Sequence, residues 1–597
     1  MDTGLENASW DLEPLVGGRG AEGVEEMLAE ARERAEAFAQ THRGRVGELG
    51  AEGLADAMRE LAAVYDLAGR AGSYAALSFS LDTADPPRGA LLQRARELGA
   101  AIETTLLFFE LEWNELPDER AGELLEAEGL AFCRHHLRTL RRYRPHQLSE
   151  PEERVLTETA VTGPSAFRRL FTEQTSALEI GLPDRDEPAG LEEALSRLQD
   201  PDRERRADAA AAVTEALRPG LRTRAFVFNT LLQDKATKDR LRSYPHWLAE
   251  RNLANEASDE SVEALIDAVE ARYDLAQRWY RLKAGLLGVD RLAYFDRMAP
   301  VSDSDETIPY DEARAIVLDC YRRFSPELGD AADAFFANGY IDGPPRPGKR
   351  GGAFCSYTVP SAHPYVMLNY TSRPYDVLTL AHELGHGVHA SLARPQGIFQ
   401  FTTPLTLAET ASIFGETIVL ERLLERASDA AERLDLLAGS LDGAVAAVFR
   451  QVAMNRFEHA LHTERREAGE LSVGRFGELW HETQSDLLGD TVELHDDYRL
   501  WWSYIWHFVD TPGYVYAYAY GHLLALSVYR RYEQRGEDFV PSYLEVLRAG
   551  GSLPPEELGA IVGVDLADPG FWGSGLDLIA RRLETAETAA REAGRLG

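Results

Sequence analysis

A predominantly α-helical fold is expected from three features of this sequence. Between Ala21 and about Leu140, Ala, Leu, Glu and Arg dominate at helical spacing, as in the runs 23–32 and 53–61. Alternating apolar–polar runs, the mark of half-buried strands, are scarce throughout. With 597 residues, the chain is long enough for more than one packed unit.

The first 200 residues read as an N-terminal helical region, and 201–597 as a second region that carries the motifs described below, with the boundary placed near Pro201. Gly343-Pro-Pro-Arg-Pro-Gly348 is a plain loop. Short strands are expected at Tyr357-Thr-Val and Tyr365-Val-Met-Leu, the latter as an edge strand able to pair with another extended backbone. A helix is expected from Pro374, which tolerates the first helical position because its missing N–H is not needed there. Val377, Leu378, Leu380, Ala381, Leu384 and Val388 continue it at helical spacing. A further helix is expected over Leu405–Ile418, with an apolar stripe through Leu407, Ala408, Ala411, Phe414 and Ile418. No internal repeat or low-complexity tract stands out.

The formal charge of −36 and pI of about 4.9 argue against a nucleic-acid phosphate surface. Lysine is confined to Lys235, Lys238, Lys283 and Lys349, and arginine supplies the other cations. Genomic composition bias with a solvated acidic surface accounts for this; adaptation to high salt is the alternative. The N-terminus lacks the basic region and apolar core of a signal peptide, and no stretch approaches twenty apolar residues, so neither export nor a membrane span is expected. Cys133, Cys320 and Cys355 are too few for a disulfide framework and read as reduced thiols of a cytoplasmic protein. Cys355 falls near the candidate site and reads as an inert thiol.

The chemistry concentrates in Leu380–Ala390, where His382, Glu383 and His386 spell H-E-x-x-H. On a helix, residues i and i+4 lie one turn apart on one face, so both imidazoles can reach one Zn²⁺. Glu383, one position after the first histidine, is then placed as general base on a water beside the metal, the arrangement used for peptide-bond hydrolysis. A third ligand is needed. Position 392, where one class of zinc peptidase carries a third histidine, is Leu. His389 lies seven residues from His382, roughly 10 Å along a helix, too far to share a metal with it, and reads as a packing or supporting residue. On the helix expected downstream, Glu409 and Glu416 share a face, and a carboxylate there is costly to bury without a positive partner. Glu409 is therefore assigned as the third ligand, and Glu416 as a carboxylate holding a histidine N–H.

H-E-L-G-H followed by L-A-E-T-A-S resembles the thimet oligopeptidase and oligoendopeptidase F family of zinc peptidases, most closely its bacterial oligoendopeptidase F branch. Gly348-Lys-Arg-Gly-Gly-Ala353 and Pro364-Tyr-Val-Met-Leu-Asn369 sit where that family has a glycine-rich segment and a strand beside the zinc. His507-Phe508 and Tyr514-Val-Tyr516-Ala-Tyr518 resemble its histidine-and-tyrosine block, and Trp10-Asp-Leu-Glu-Pro-Leu15 its opening. The resemblance implies two helical lobes around a deep channel with one Zn²⁺ on its floor, a small β-sheet beside the site, and cleavage of short unstructured peptides. It also implies oxyanion-stabilising roles for His507 and Tyr514, then Tyr518, although the tyrosines at 514, 516, 518 and 520 alternate and allow a two-residue slip. A carboxypeptidase or dipeptidyl carboxypeptidase on a similar frame is the alternative within enzymes, and a non-catalytic peptide-binding protein with a structural metal the alternative outside them. An intact Glu383 weighs against the last, since a structural site has no use for a base.

Overall fold

The computed structural model describes residues 3–301 and 307–596, and helices make up most of it. The chain forms two compact units, each assembled from three segments. The first comprises Met1–Arg144, Glu306–Glu425 and Val528–Asp565; the second comprises Pro145–Asp305, Arg426–Ser527 and Leu566–Gly597. The division expected near Pro201 does not coincide with these units, because Pro201 lies inside the second. A linear reading places one cut, whereas the packing is made by segments far apart in sequence.

In the first unit, the long helices Gly20–His42, Ala51–Leu81 and Pro86–Glu115 pack on one another. Leu28, Ala31, Ala35 and Phe38 recur at three- and four-residue spacing and are all buried, as are Leu54, Leu61, Ala71 and Ala75. The alanines let the helix backbones approach closely while the larger residues fill the space between. Trp10 docks the N-terminal block: its indole N–H donates to the Val366 carbonyl (2.9 Å) and the Tyr340 carbonyl (3.1 Å).

That contact is made to a three-stranded sheet of β1 (Ile341–Asp342), β2 (Phe354–Ser356) and β3 (Tyr365–Met367). The order is β1-β3-β2. Ile341 and Asp342 pair in parallel with Val366 and Met367, and Phe354, Cys355 and Ser356 pair antiparallel with Met367, Val366 and Tyr365. The strand at Tyr365 is therefore central, not the edge expected; β1 and β2 are the two edges. Tyr357-Thr-Val is not a strand either. Thr358 has φ +58°, and its hydroxyl donates to the His363 carbonyl at 2.9 Å, so the chain turns there. The loop before β2 is held by Lys349, whose buried ammonium pairs with Asp342 (2.6 Å) and donates to the Leu368 (2.6 Å) and Pro344 (2.9 Å) carbonyls.

Among its described residues, the regular structure of the second unit is helical apart from a short parallel pair, Leu292–Ala293 with Val492–Glu493, and an isolated bridge between Ile180 and Ala189. Its longest run, Ala430–Ala468, contains one π-helical stretch at Val445–Phe449. Contrary to expectation, a window of that run is apolar and long enough to cross a membrane by composition, but half of it is buried inside the protein. Its side chains are spent on packing; Trp279 and Lys283 reach Asp442 at 2.8 Å each. Two of the four lysines, Lys283 and Lys349, thus have side chains with no exposure at all. A compact ammonium on a flexible stem reaches such carbonyl and carboxylate cages, which accounts for lysine at these interior positions.

Candidate active site

The helix Pro374–Ala393 carries the H-E-x-x-H residues. Its first turn is fixed by Asp376, whose Oδ2 accepts from the backbone N–H groups of Thr371 (2.7 Å) and Arg373 (3.1 Å) and from the Thr371 hydroxyl (2.9 Å). Those bonds satisfy donors that a helix start leaves free. Val377, Leu380, Ala381, Leu384 and Val388 face the core and are buried. Tyr321 reaches into this helix, donating its hydroxyl to the Ala381 carbonyl at 2.6 Å.

The stretch expected as one helix over Leu405–Ile418 is two: Leu405–Ala408 and Ser412–Arg426, with a turn at 409–411 between them. The break has a packing cause. Gly385 lies so close to it that a Cβ at that position would fall 2.5 Å from the Ala411 carbonyl oxygen and 2.6 Å from Ser412 Cα. Backbone atoms cannot move aside as side chains do, so only glycine permits this approach. Gly385→Ala should therefore destabilise the protein by about 1–3 kcal/mol and weaken metal binding, because it levers the Glu409 turn away from the histidines. A thermal melt and a zinc titration check this; no change in either would mean the close approach is not needed.

The turn aims Glu409 at both histidines. Its Oε2 lies 3.3 Å from His382 Nε2 and 3.5 Å from His386 Nε2, and also accepts from the Ser412 hydroxyl at 2.7 Å. Ligands about 2.0–2.1 Å from a tetrahedral metal stand roughly 3.3 Å apart, so these separations fit one cation between the donors. Among the described residues, His382, His386 and Glu409 are the group able to hold a metal in this way. Glu416, one helix further on, places Oε2 3.2 Å from His382 Nδ1, on the side of the ring away from Glu409. Such a carboxylate fixes the ring's orientation and tautomer.

The electrostatics show how strongly these groups need one another. Burial alone would lower His382, but the Glu409 and Glu416 carboxylates carry it well above its ordinary value. Burial would raise Glu409, yet the His382 hydrogen bond, the charges of both histidines and Ser412 hold it far below the carboxylate range. Burial lowers His386 to about 4. A positive charge among these donors is thus strongly favoured, whether a proton or a metal ion. Glu383 is only 7% exposed, and its Oε2 has no hydrogen-bond partner among the described residues. Burial, with Glu409 adding and His382 opposing, pushes its carboxyl up to about 7.

His389 is buried, and its Nδ1 has no hydrogen-bond partner among the described residues. Burial pushes the Cys355 thiol on β2 well up, with the Glu383 charge adding to the shift, so the group stays a thiol. Tyr357 is a site neighbour that the sequence reading treated only as part of a strand. Its ring lies 6.3 Å from that of His386, and burial, then the Cys355, Glu409 and Glu383 charges, raise its hydroxyl well above the usual range. An aromatic just after a glycine-rich segment was the only signal for it.

His507, Tyr514 and Tyr518 lie in the second unit and form a cluster there. Ring centroids are 6.1 Å apart for His507–Tyr514, 6.0 Å for His507–Tyr518 and 5.0 Å for Tyr514–Tyr518, and the Tyr518 oxygen is 3.5 Å from His507 Nε2. Burial, with Arg450 adding, lowers His507 and favours a neutral ring. Tyr516 and Tyr520 face the other way. Tyr516 is buried between Asn252 (2.8 Å) and Asn255 (2.9 Å), and Tyr520 packs edge-on against Trp572. The four tyrosines thus separate into a pair beside His507 and a pair in the core.

Two imidazoles and a carboxylate converging on one point, with a buried glutamate on the same helix, define a metallopeptidase-type site on a helical frame. The family model of peptidase family M3 matches residues 196–578, and that of oligopeptidase F matches 112–179. The chain belongs to peptidase family M3 and is a metallopeptidase of the oligoendopeptidase F type. It is 27% identical to oligopeptidase PepF of Bacillus subtilis over 517 residues, covering 85% of this chain and 76% of that one. It is also 27% identical to group B oligopeptidase PepB of Streptococcus agalactiae, covering 86% of each. Among solved structures, a putative peptidase from Chlamydophila abortus superposes with a TM-score of 0.87 at 22% identity over 98% of both chains. Oligoendopeptidase-F from Enterococcus faecium superposes with a TM-score of 0.73 at 23% identity, over 95% of this chain and 98% of that one.

Proposed function

We propose that this peptidase is a zinc-dependent endopeptidase acting on short, unstructured oligopeptides. The observation that carries this reading is the convergence of His382 and His386 on Glu409, each Nε2 within 3.5 Å of its Oε2, with the buried carboxylate of Glu383 on the histidines' helix. Two imidazoles and one carboxylate would suit Zn²⁺, one per chain, the donor number usual for a catalytic rather than a structural site. When bound there, zinc supplies a Lewis acid for the scissile carbonyl and eases deprotonation of a nearby water.

Glu383 accepts the proton of the attacking water and returns it to the departing amine nitrogen. Glu416 keeps His382 in the tautomer whose Nε2 lone pair faces the metal. An extended substrate adds to the free edge of β2, taking up the role first expected of the Tyr365 strand; backbone pairing favours an extended chain without fixing its side chains. By the resemblance, His507, Tyr514 and Tyr518 are the groups assigned to the carbonyl oxygen as negative charge develops, and the neutral ring favoured at His507 suits that role. The resemblance also implies an enclosed channel, which would admit flexible peptides and refuse folded proteins.

Zinc content and chelation test the metal: about one zinc per chain, activity lost to a chelator and restored by Zn²⁺. Tyr514→Phe tests the oxyanion role. Removing only a hydroxyl should leave the fold intact and lower kcat roughly 100-fold with little change in KM. Normal kinetics for Tyr514→Phe and a crippled Tyr518→Phe would move the role along the helix.

A further inference from the structure

Glu458 is a buried carboxylate for which the reaction as described has no use. It sits on the helix Arg450–Ala468, is 2% exposed, and accepts the backbone N–H of Gly513 through Oε1 at 2.8 Å. Its Oε2 has no hydrogen-bond partner among the described residues. Burying a carboxyl group with so little compensation costs free energy that ordinary core packing avoids. Burial pushes this carboxyl up to about 8, against the opposing effects of the Gly513 N–H and of Arg251.

The Gly513 end of that bond lies between the groups assigned to the oxyanion. A turn joins His507–Asp510 to the helix beginning at Tyr516: the Thr511 N–H donates to the His507 carbonyl (3.0 Å) and the Tyr514 N–H to the Thr511 carbonyl (3.2 Å). Each flank is anchored separately. Phe508 packs against Phe457 (5.3 Å between centroids), and Tyr516 is held by Asn252 and Asn255. Gly513 itself has φ +75°, and a Cβ there would fall 2.6 Å from Leu248 Cδ1. The turn therefore needs glycine, the residue least able to hold its own conformation. Glu458 supplies the missing restraint.

Resting on the oxyanion role given above to Tyr514, we infer that Glu458 is a positioning residue: its buried carboxyl group grips the Gly513 N–H and thereby sets Tyr514 relative to His507. Its neighbour Phe457 fixes one end of the same turn, so two consecutive residues of one helix locate the segment.

The test compares Glu458→Gln, which keeps an acceptor oxygen for Gly513, with Glu458→Met, which has similar bulk and none. Both are assayed on a peptide cleaved by the wild type, with zinc content and melting temperature measured alongside. Glu458→Gln should stay within about threefold of wild type. Glu458→Met should lose roughly tenfold or more in kcat with KM little changed and zinc retained. In a Tyr514→Phe background the same Met substitution should cost less than about twofold, because the group it positions is already gone. A wild-type kcat for Glu458→Met, an equal loss in the Gln variant, or an undiminished loss in the Tyr514→Phe background would each overturn the inference. If the Met variant does not fold, hydrogen exchange of the Gly513 amide in wild type and Glu458→Gln decides. Strong protection is expected; exchange as fast as in an exposed turn overturns the proposal. Exchange requires no activity, so an inactive or metal-independent wild type would count against the functional reading alone.

Discussion

Glu383→Gln should lower kcat/KM by about 100-fold or more, roughly 2.7 kcal/mol of transition-state stabilisation, while bound zinc stays near one per chain. The substitution keeps the size and polarity of the side chain but removes its ability to take a proton. Glu383 is not among the converging donors, which are His382, His386 and Glu409. Metal binding should therefore survive. Kinetics on a short peptide, paired with metal analysis of the same preparation, check both halves. Loss of zinc together with activity would make Glu383 part of the metal's support rather than the base.

Glu409→Ala should behave in the opposite way, losing metal affinity and activity together. It removes one of the three proposed ligands and the carboxylate that lies 3.3 and 3.5 Å from the two histidines. Each protein ligand contributes to zinc affinity, and a two-histidine remnant is expected to release the ion to a mild chelator. Glu416→Gln should be milder, on the order of tenfold, since Glu416 meets His382 at the nitrogen far from Glu409. Full zinc retention by the Glu409 variant, with loss in the Glu416 variant, would exchange their roles.

What the sequence revealed follows from how local each signal is. The pairing of His382 with His386 needs only one helical turn, so five consecutive residues disclose it. Glu409 was reached through the cost of burying a carboxylate among apolar residues, although it lies in the turn at 409–411 and not on the helical face expected for it with Glu416. The break at 409–411 was not legible, because its cause is the close approach of Gly385, more than twenty positions away. Strand order failed for the same reason: whether Tyr365–Met367 is edge or centre depends on its pairing with Ile341 and Asp342. The turn at Thr358 is set by φ +58° at a β-branched residue, against local preference. Glu458 looks in sequence like any helix glutamate, and only its burial and its bond to Gly513 distinguish it.

The central claim is metal-dependent cleavage of internal bonds in short peptides. It is tested most directly by mass-spectrometric product mapping on a ten-residue peptide blocked at both ends, with casein as a long, flexible comparison. The expected result is cleavage at internal bonds, abolished by a chelator and restored by Zn²⁺, with casein cut far more slowly per bond. Refusal of the blocked peptide with trimming of its free-ended form would contradict it in favour of a terminus-dependent peptidase, and rapid casein digestion would contradict the enclosed channel.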